Sequence, residues 1–277
     1  MFDADTYLRC LGLDAELIRR GSPGLRTLAI LHKRHLEALP FSSTGSFAVP
    51  TRDGVTVEVV DLDEDVAFGP VVVAGNGGGC VQLNRLFLRL LRDLGFDAGL
   101  LAGTTVEGAE AYGVDVEHML LCVRADGDDW LADVGYAGPS FLEPLRLDEP
   151  GEQAQYGCRY RLEADGDGLL LLRRPRLGRW STVYRLTTKP RELVEWRPFE
   201  AAANAVLTAP PDPAGPGLWS RATADGQTVL KGLRHVTVRG GIEKARTLTD
   251  EQWPAVRDGI LAGPRPRPST EQDRHAP

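Results

Sequence analysis

Several things are scarce in this 277-residue chain, and each scarcity removes a class of protein. No apolar run approaches the roughly 20 residues that cross a bilayer, so no membrane span is expected. The opening MFDADTYLRC carries acids and no apolar stretch, so no secretory leader is expected there. Cysteine is limited to Cys10, Cys80, Cys122 and Cys158, far apart and without a CxxC pair. That argues against a disulfide framework or a zinc site, and for a reduced, cytoplasmic setting. Positive charge is in deficit, 32 Lys+Arg against 39 Asp+Glu, whereas a nucleic-acid partner needs a basic face. What is present is ordinary for a globular protein with a sizeable core: 42% hydrophobic and 26% charged residues.

Residues 1–40 read as helical. Leu8, Leu11, Leu17 and Ile18 supply the first apolar positions. After Gly21-Ser22-Pro23-Gly24, the set Leu28, Leu31, His35, Leu36 and Leu39 recurs at helix spacing until Pro40. Residues 55–60 alternate like a strand. A strong amphipathic helix begins at Cys80, with Leu83, Leu86, Phe87, Leu90 and Leu91 on one face and Gly95 just past its end. Strands follow at 118–123, 130–134, 156–162, 169–173 and 180–186. A helix is predicted over 189–207, a Pro/Gly-rich loop over 209–217 and strands over 218–223, 228–232 and 235–239. A last helix is expected from a Thr249-Asp250 cap to Leu261. The final residues, 264–277, are expected to be a flexible tail.

Chemistry enters at Cys80. The run Gly77-Gly78-Gly79 lets the chain turn sharply into the helix, and the helix dipole favours a thiolate on its first turn. The run lacks both the phosphate-loop ending and the dinucleotide-site spacing. A buried cysteine after a tight turn is the plain alternative. A nucleophilic thiol needs a base. Of five histidines, His275 lies in the tail, His32 is expected at the surface, His35 faces the core and His235 opens a late strand. His118 opens an apolar strand. If Asp126-Gly127 are the central residues of a hairpin turn, paired positions sum to 253 and Leu120 faces Asp133. Side chains alternate, so His118 and Asp133 share a face as diagonal neighbours. An aspartate inside WLADV is costly unless it has a partner, and histidine supplies one. Cys80, His118 and Asp133 thus form a candidate nucleophile–base–orienter set. Cys10, Cys122 and Cys158 are expected to be core thiols.

With these residues in place, the chain resembles the arylamine N-acetyltransferase family along nearly its whole length. The resemblance rests on LHKRHLEALPF, on Asn76-Gly77-Gly78-Gly79-Cys80 with Asn84, on His118-Met119-Leu120-Leu121, and on Asp133-Val134-Gly135-Tyr136-Ala137-Gly138. It implies an α+β, three-part fold with a cysteine-protease-like Cys-His-Asp triad. The parts would be a helical region with the nucleophile (1–95), a β-barrel with the histidine and aspartate (96–190) and an α/β lid (191–263). It also implies ping-pong acyl transfer from a thioester to Cys80 and on to an amine. Three charges the family usually keeps near its nucleophile are missing together, where this chain has Cys10, Ser42 and Asn76. Gln82 stands where a glutamate is common.

That coherent loss points to a relative with a different substrate. Release of a carrier-protein-bound polyketide or peptide chain by cyclisation is the first expectation, through nitrogen as in macrolactam amide synthases or through carbon as in Dieckmann-type cyclases. An arylamine N-acetyltransferase using acetyl-CoA is the second, and a non-enzymatic binding module the third. No cofactor or metal is expected. The thioester, on carrier-protein phosphopantetheine or CoA, is the substrate, and an acyl carrier protein or acyl-CoA is the expected partner. Substrate-binding candidates are Phe41, Phe47, Gly79, Tyr112 and Val116, with core packing as the alternative for the two phenylalanines. The 209–217 loop would border the CoA or phosphopantetheine arm.

Overall fold

Three short helices open the chain, each begun by a local signal. The computed structural model describes residues 1–43, 49–51, 54–56, 64–105, 116–199 and 217–263. In α1 (Ala4–Cys10), Asp3 accepts the Thr6 N–H at 3.0 Å, and in α2 (Ala15–Arg20), Asp14 accepts the Leu17 N–H at 3.1 Å. Helix α3 (Leu25–Ala38) buries Leu28, Leu31, His32, His35 and Leu36. These positions make the i, i+3, i+4, i+7, i+8 stripe of a core-facing helix. His32, expected at the surface, is therefore fully buried. Its place in the stripe was legible, but its polarity concealed it.

After β1 (Phe41–Ser42), a small hairpin pairs β2 (Val49–Thr51) with β3 (Gly54–Thr56). It covers the start of the strand predicted over 55–60, and 57–60 lie outside the described residues. Helix α4 (Glu64–Phe68) runs into a single wide turn, Gly69–Val73. Helix α5 (Cys80–Asp93) buries Leu83, Leu86, Phe87, Leu90 and Leu91 against α1 and α3. Each such side chain is worth about 1.5–3 kcal/mol of burial. Its polar face is held by Arg85 to Glu64 at 3.2 Å and Arg89 to Asp65 at 3.1 Å. Gly95 follows at φ +86°, as expected of the residue past the cap.

Eight antiparallel strands then curl into a nearly closed barrel. They are β4 (Asp97–Thr104), β5 (His118–Ala125), β6 (Asp128–Ala132), β7 (Leu145–Arg146), β8 (Gln153–Gln155), β9 (Cys158–Asp165), β10 (Gly168–Arg174) and β11 (Ser181–Thr187). Their spatial order is β7-β6-β5-β4-β11-β10-β9-β8. The two edges are joined by side chains. Gln153 both accepts from and donates to the Arg146 backbone (2.8 and 2.9 Å), and Gln155 does the same for Glu143 (3.0 and 2.7 Å). Two glutamine amides thus imitate the missing ladder rungs and cover edges that would otherwise be open. Leu101, Leu120, Leu131, Leu171, Tyr184 and Leu186 fill the interior.

A second antiparallel sheet has the order β1-β12-β13-β14-β15, with β12 (Leu218–Thr223), β13 (Gly226–Lys231), β14 (Arg234–Arg239) and β15 (Ile242–Thr247). The strand β15 was not foreseen, because IEKART is exposed at every position and shows no alternation. Helix α6 spans Trp253–Ala262 and packs on this sheet, Trp253 meeting Trp219 edge-on at 5.4 Å. It starts later than expected: Thr249 binds Glu251 through its hydroxyl, and Pro254 sits in the first turn, where its missing N–H costs nothing. The helix predicted over 189–207 is a 3-10 turn, Leu193–Trp196, passing into helix at 197–199, where the described stretch ends. The predicted tail and all but the last residue of the loop predicted over 209–217 lie outside the described residues, as do Phe47 and Tyr112.

Candidate active site

The glycine turn is built against a strand. Gly78 accepts the Ser42 N–H at 3.0 Å and donates its own N–H to Pro40 O at 3.3 Å. Gly77 has φ +68°, and a Cβ there would lie 1.8 Å from Pro40 O, so only glycine fits. Gly79 is the N-cap residue of α5, and its N–H donates to Gln82 Oε1 at 3.1 Å. Cys80 thus stands at the first helical position, half-buried, as the glycine run predicts.

The hairpin carries the other two residues. Asp126 and Gly127 have φ +51° and +91°, the geometry of a two-residue hairpin turn, and Leu121 pairs with Ala132, so paired numbers sum to 253 as expected. Asp133 lies one residue beyond β6. Its Oδ2 meets His118 Nε2 at 2.7 Å, with both residues 3% exposed. Cys80 lies near enough to His118 to help raise its pKa. With Nε2 committed to the carboxylate, Nδ1 is the nitrogen left for the sulfur. Cys80 Sγ also lies 3.7 Å from Glu117 O.

Burial alone would keep the His118 ring neutral. The Asp133 charge and hydrogen bond, helped by Cys80, outweigh burial and raise its pKa well above the ordinary value of 6.5. In Asp133, burial favours the protonated acid, but the His118 charge and the hydrogen bonds from His118, Gly135 and Asn84 hold its pKa below the usual one. Oδ1 accepts from Gly135 N at 2.9 Å and Asn84 Nδ2 at 3.1 Å. Tyr136 and Tyr184 flank the His118 ring at 5.7 and 5.2 Å. Burial, and then the Asp133 charge, push the Tyr184 phenol well above its usual range.

Two supporting residues were not assigned by sequence reasoning. Asn84 also donates to Met119 O at 2.7 Å and accepts the Val134 N–H at 3.0 Å, so one amide joins α5, β5 and the aspartate loop. The signal was its spacing, one turn after Cys80 on the same helix face. His32 accepts the Asp133 N–H at 3.0 Å. Among the substrate candidates, Val116 packs beside Cys80 against the cluster of Val81, Met119 and Trp196, while Phe41 packs on the helical core. Cys10 is half-buried, Ser42 buried and Asn76 exposed, so no charge is stranded where the three expected charges are missing. Cys158 is buried, and Cys122 is half-buried with its thiol pushed up to about 11 by burial and nearby acids. Among the described residues, no group of three His, Cys, Asp or Glu could hold a metal ion, and no helix is long and apolar enough to cross a membrane.

The N-acetyltransferase family matches residues 24–259, most of the chain, and the protein belongs to that family. Proansamycin X synthase of Amycolatopsis mediterranei (strain S699) is 44% identical over 266 residues, covering 95% of this chain and 98% of its own. The arylamine N-acetyltransferase of Mycolicibacterium smegmatis is 30% identical over 70% of this chain and 67% of its own. The structure of Mycobacterium marinum arylamine N-acetyltransferase in complex with CoA superposes with a TM-score of 0.75 at 26% identity, covering 95% of this chain and 96% of that one. The expected fold is thereby that of the family.

Proposed function

We propose that the protein takes an acyl chain from a thioester onto Cys80 and releases it to an amine of the same chain, closing a macrolactam. The extent of the likeness carries this reading. Proansamycin X synthase, whose name denotes an ansa-bridged product, matches end to end at 44% identity, whereas the smegmatis arylamine enzyme matches over about two-thirds of its length. Cys80, His118 and Asp133 act as a triad. The Cys80 thiolate attacks the thioester carbonyl, and N–H groups at the start of α5, Cys80's own among them, hold the oxyanion. The C–S bond to the carrier breaks, and the departing thiolate takes the proton from His118. An amine then attacks acyl-Cys80 and passes its proton to His118. The Cys80 C–S bond breaks, giving the amide and restoring thiolate and imidazolium. Asp133 keeps the ring oriented throughout. The acyl donor is phosphopantetheine on a carrier protein.

Intact-mass analysis after mixing the protein with an acyl-loaded carrier protein tests this. The acyl mass should appear on Cys80 and leave as a ring-closed amide, and Cys80→Ala should take up none. A carbon–carbon ring product would assign the second nucleophile to carbon. The likeness to an enzyme solved with CoA favours a second reading, acetyl transfer from acetyl-CoA to an arylamine. Rapid acetyl transfer with no uptake from carrier-bound chains would establish that reading over the first.

A further inference from the structure

His32 lies outside the set that touches substrate, yet its two ring nitrogens grip the loop that presents the aspartate. Nε2 faces the Asp133 N–H at 3.0 Å, and Nδ1 faces Leu142 O at 2.9 Å. The ring is fully buried, stacked on Phe141 at 5.5 Å and 15°, and edge-on to Phe87 at 6.2 Å. Its partners leave no choice of protonation. A backbone N–H only donates and a carbonyl only accepts, so His32 is neutral with its proton on Nδ1. Burial, which lowers its pKa, acts in the same direction.

The two bonds close the segment from Asp133 to Leu142. Asp133 lies past the end of β6, so its N–H has no ladder partner, and His32 takes that place. The closed segment carries two contacts the site depends on. Gly135 packs so tightly on α5 that a Cβ would lie 2.7 Å from Cys80 Cα and 2.6 Å from Asn84 Nδ2. Tyr136 lies edge-on to the His118 ring. A slack loop would therefore move the carboxylate, the nucleophile turn and the wall of the imidazole together.

We infer that His32 is a positioning residue for acyl transfer: it fixes the main chain of Asp133 so that Oδ2 meets His118 Nε2. This rests on the triad reading above. The test pairs two amides. In His32→Gln, the side-chain oxygen can reach the place of Nε2 and accept the Asp133 N–H. In His32→Asn, the shorter amide can serve Leu142 O but falls short of Asp133. His32→Leu keeps most of the volume with no acceptor, and serves if His32→Asn does not fold. Two readouts are taken on folded protein: the low-field proton resonance of the His118–Asp133 hydrogen bond, and the acylation of Cys80 by an N-acetylcysteamine thioester followed by intact mass.

His32→Asn should shift or lose the resonance and slow kcat for acylation by about 10–100-fold, the scale of misplacement by about 1 Å, while KM changes little. His32→Gln should restore both readouts to near wild type. An unchanged resonance and rate in His32→Asn or His32→Leu would overturn the proposal, and so would His32→Gln behaving as badly as His32→Asn. Variants that all fail to fold would assign His32 to folding instead. Wild-type protein that takes up no acyl group would sink the enzymatic reading, while the resonance still decides whether His32 holds the aspartate.

Discussion

Two of the buried cationic groups among the described residues, His118 and Arg221, are treated in opposite ways. At the candidate active site, His118 is paired with a carboxylate, and both partners titrate. At the junction of α3, β12 and α6, Arg221 is 6% exposed and meets no carboxylate among the described residues. Its guanidinium instead donates to Glu37 O, Ala38 O, Ile260 O and Leu261 O at 2.6–3.0 Å. These are carbonyls at the C-terminal ends of two helices, where the dipoles favour a cation. Gly263 lies so close that a Cβ would be 2.4 Å from the guanidinium carbon. Burial lowers the Arg221 pKa only to about 10, so it stays charged at neutral pH. In the proposed triad, the group assigned to proton exchange has a titratable partner. A group that must only hold chain ends together is given neutral acceptors.

The largest way to test that contrast is Asp133→Asn, which keeps the shape and removes the charge. Acyl transfer should fall about 10⁴-fold, read as the rate of Cys80 acylation, with the fold retained by circular dichroism. Arg221→Met should do the reverse. It leaves four carbonyls without their donor and should cost about 3–5 kcal/mol in denaturant unfolding, while the rate per folded molecule stays within about twofold. A large rate loss in Arg221→Met would show that the two regions are coupled after all.

The smallest effect is in pH. The pKa of His118 is raised on folding, so the contribution of His118 is complete below about 6.5 and is lost as pH climbs through the raised value. The stability gap between wild type and His118→Gln should therefore narrow from pH 6 towards alkaline pH in melting curves. The gap between wild type and Arg221→Met should stay level to about pH 9, because Arg221 remains protonated. A level His118 gap would mean that the imidazole is neutral in the folded protein.

The parts of the site that the chain displays openly are those held by neighbours in sequence. The glycine run followed by the Cys80 stripe marks a turn and a helix start, and both occur as read. Asp-Gly selects a two-residue hairpin turn, and that turn sets the parity bringing Asp133 to the His118 face. Asn84 was visible as one turn past Cys80, but its three hydrogen bonds were not. His32 was misplaced because its polarity outweighed its position in the α3 stripe. Arg221 and the barrel-closing Gln153 and Gln155 left no pattern at all.

Local chemistry written along the chain was enough for the helix start at Cys80, for the hairpin and hence for the shared face of His118 and Asp133. Backbone conformation at glycine and the twofold alternation of strands act over a few residues and need no other part of the molecule. Folding in three dimensions settled the rest. The bond between His32 and Asp133 joins residues 101 apart, and Arg221 reaches carbonyls 183 and 184 positions away. Such contacts arise only when separate layers pack, because a side chain's burial and its hydrogen-bond partners belong to the assembled core and not to the segment that carries it.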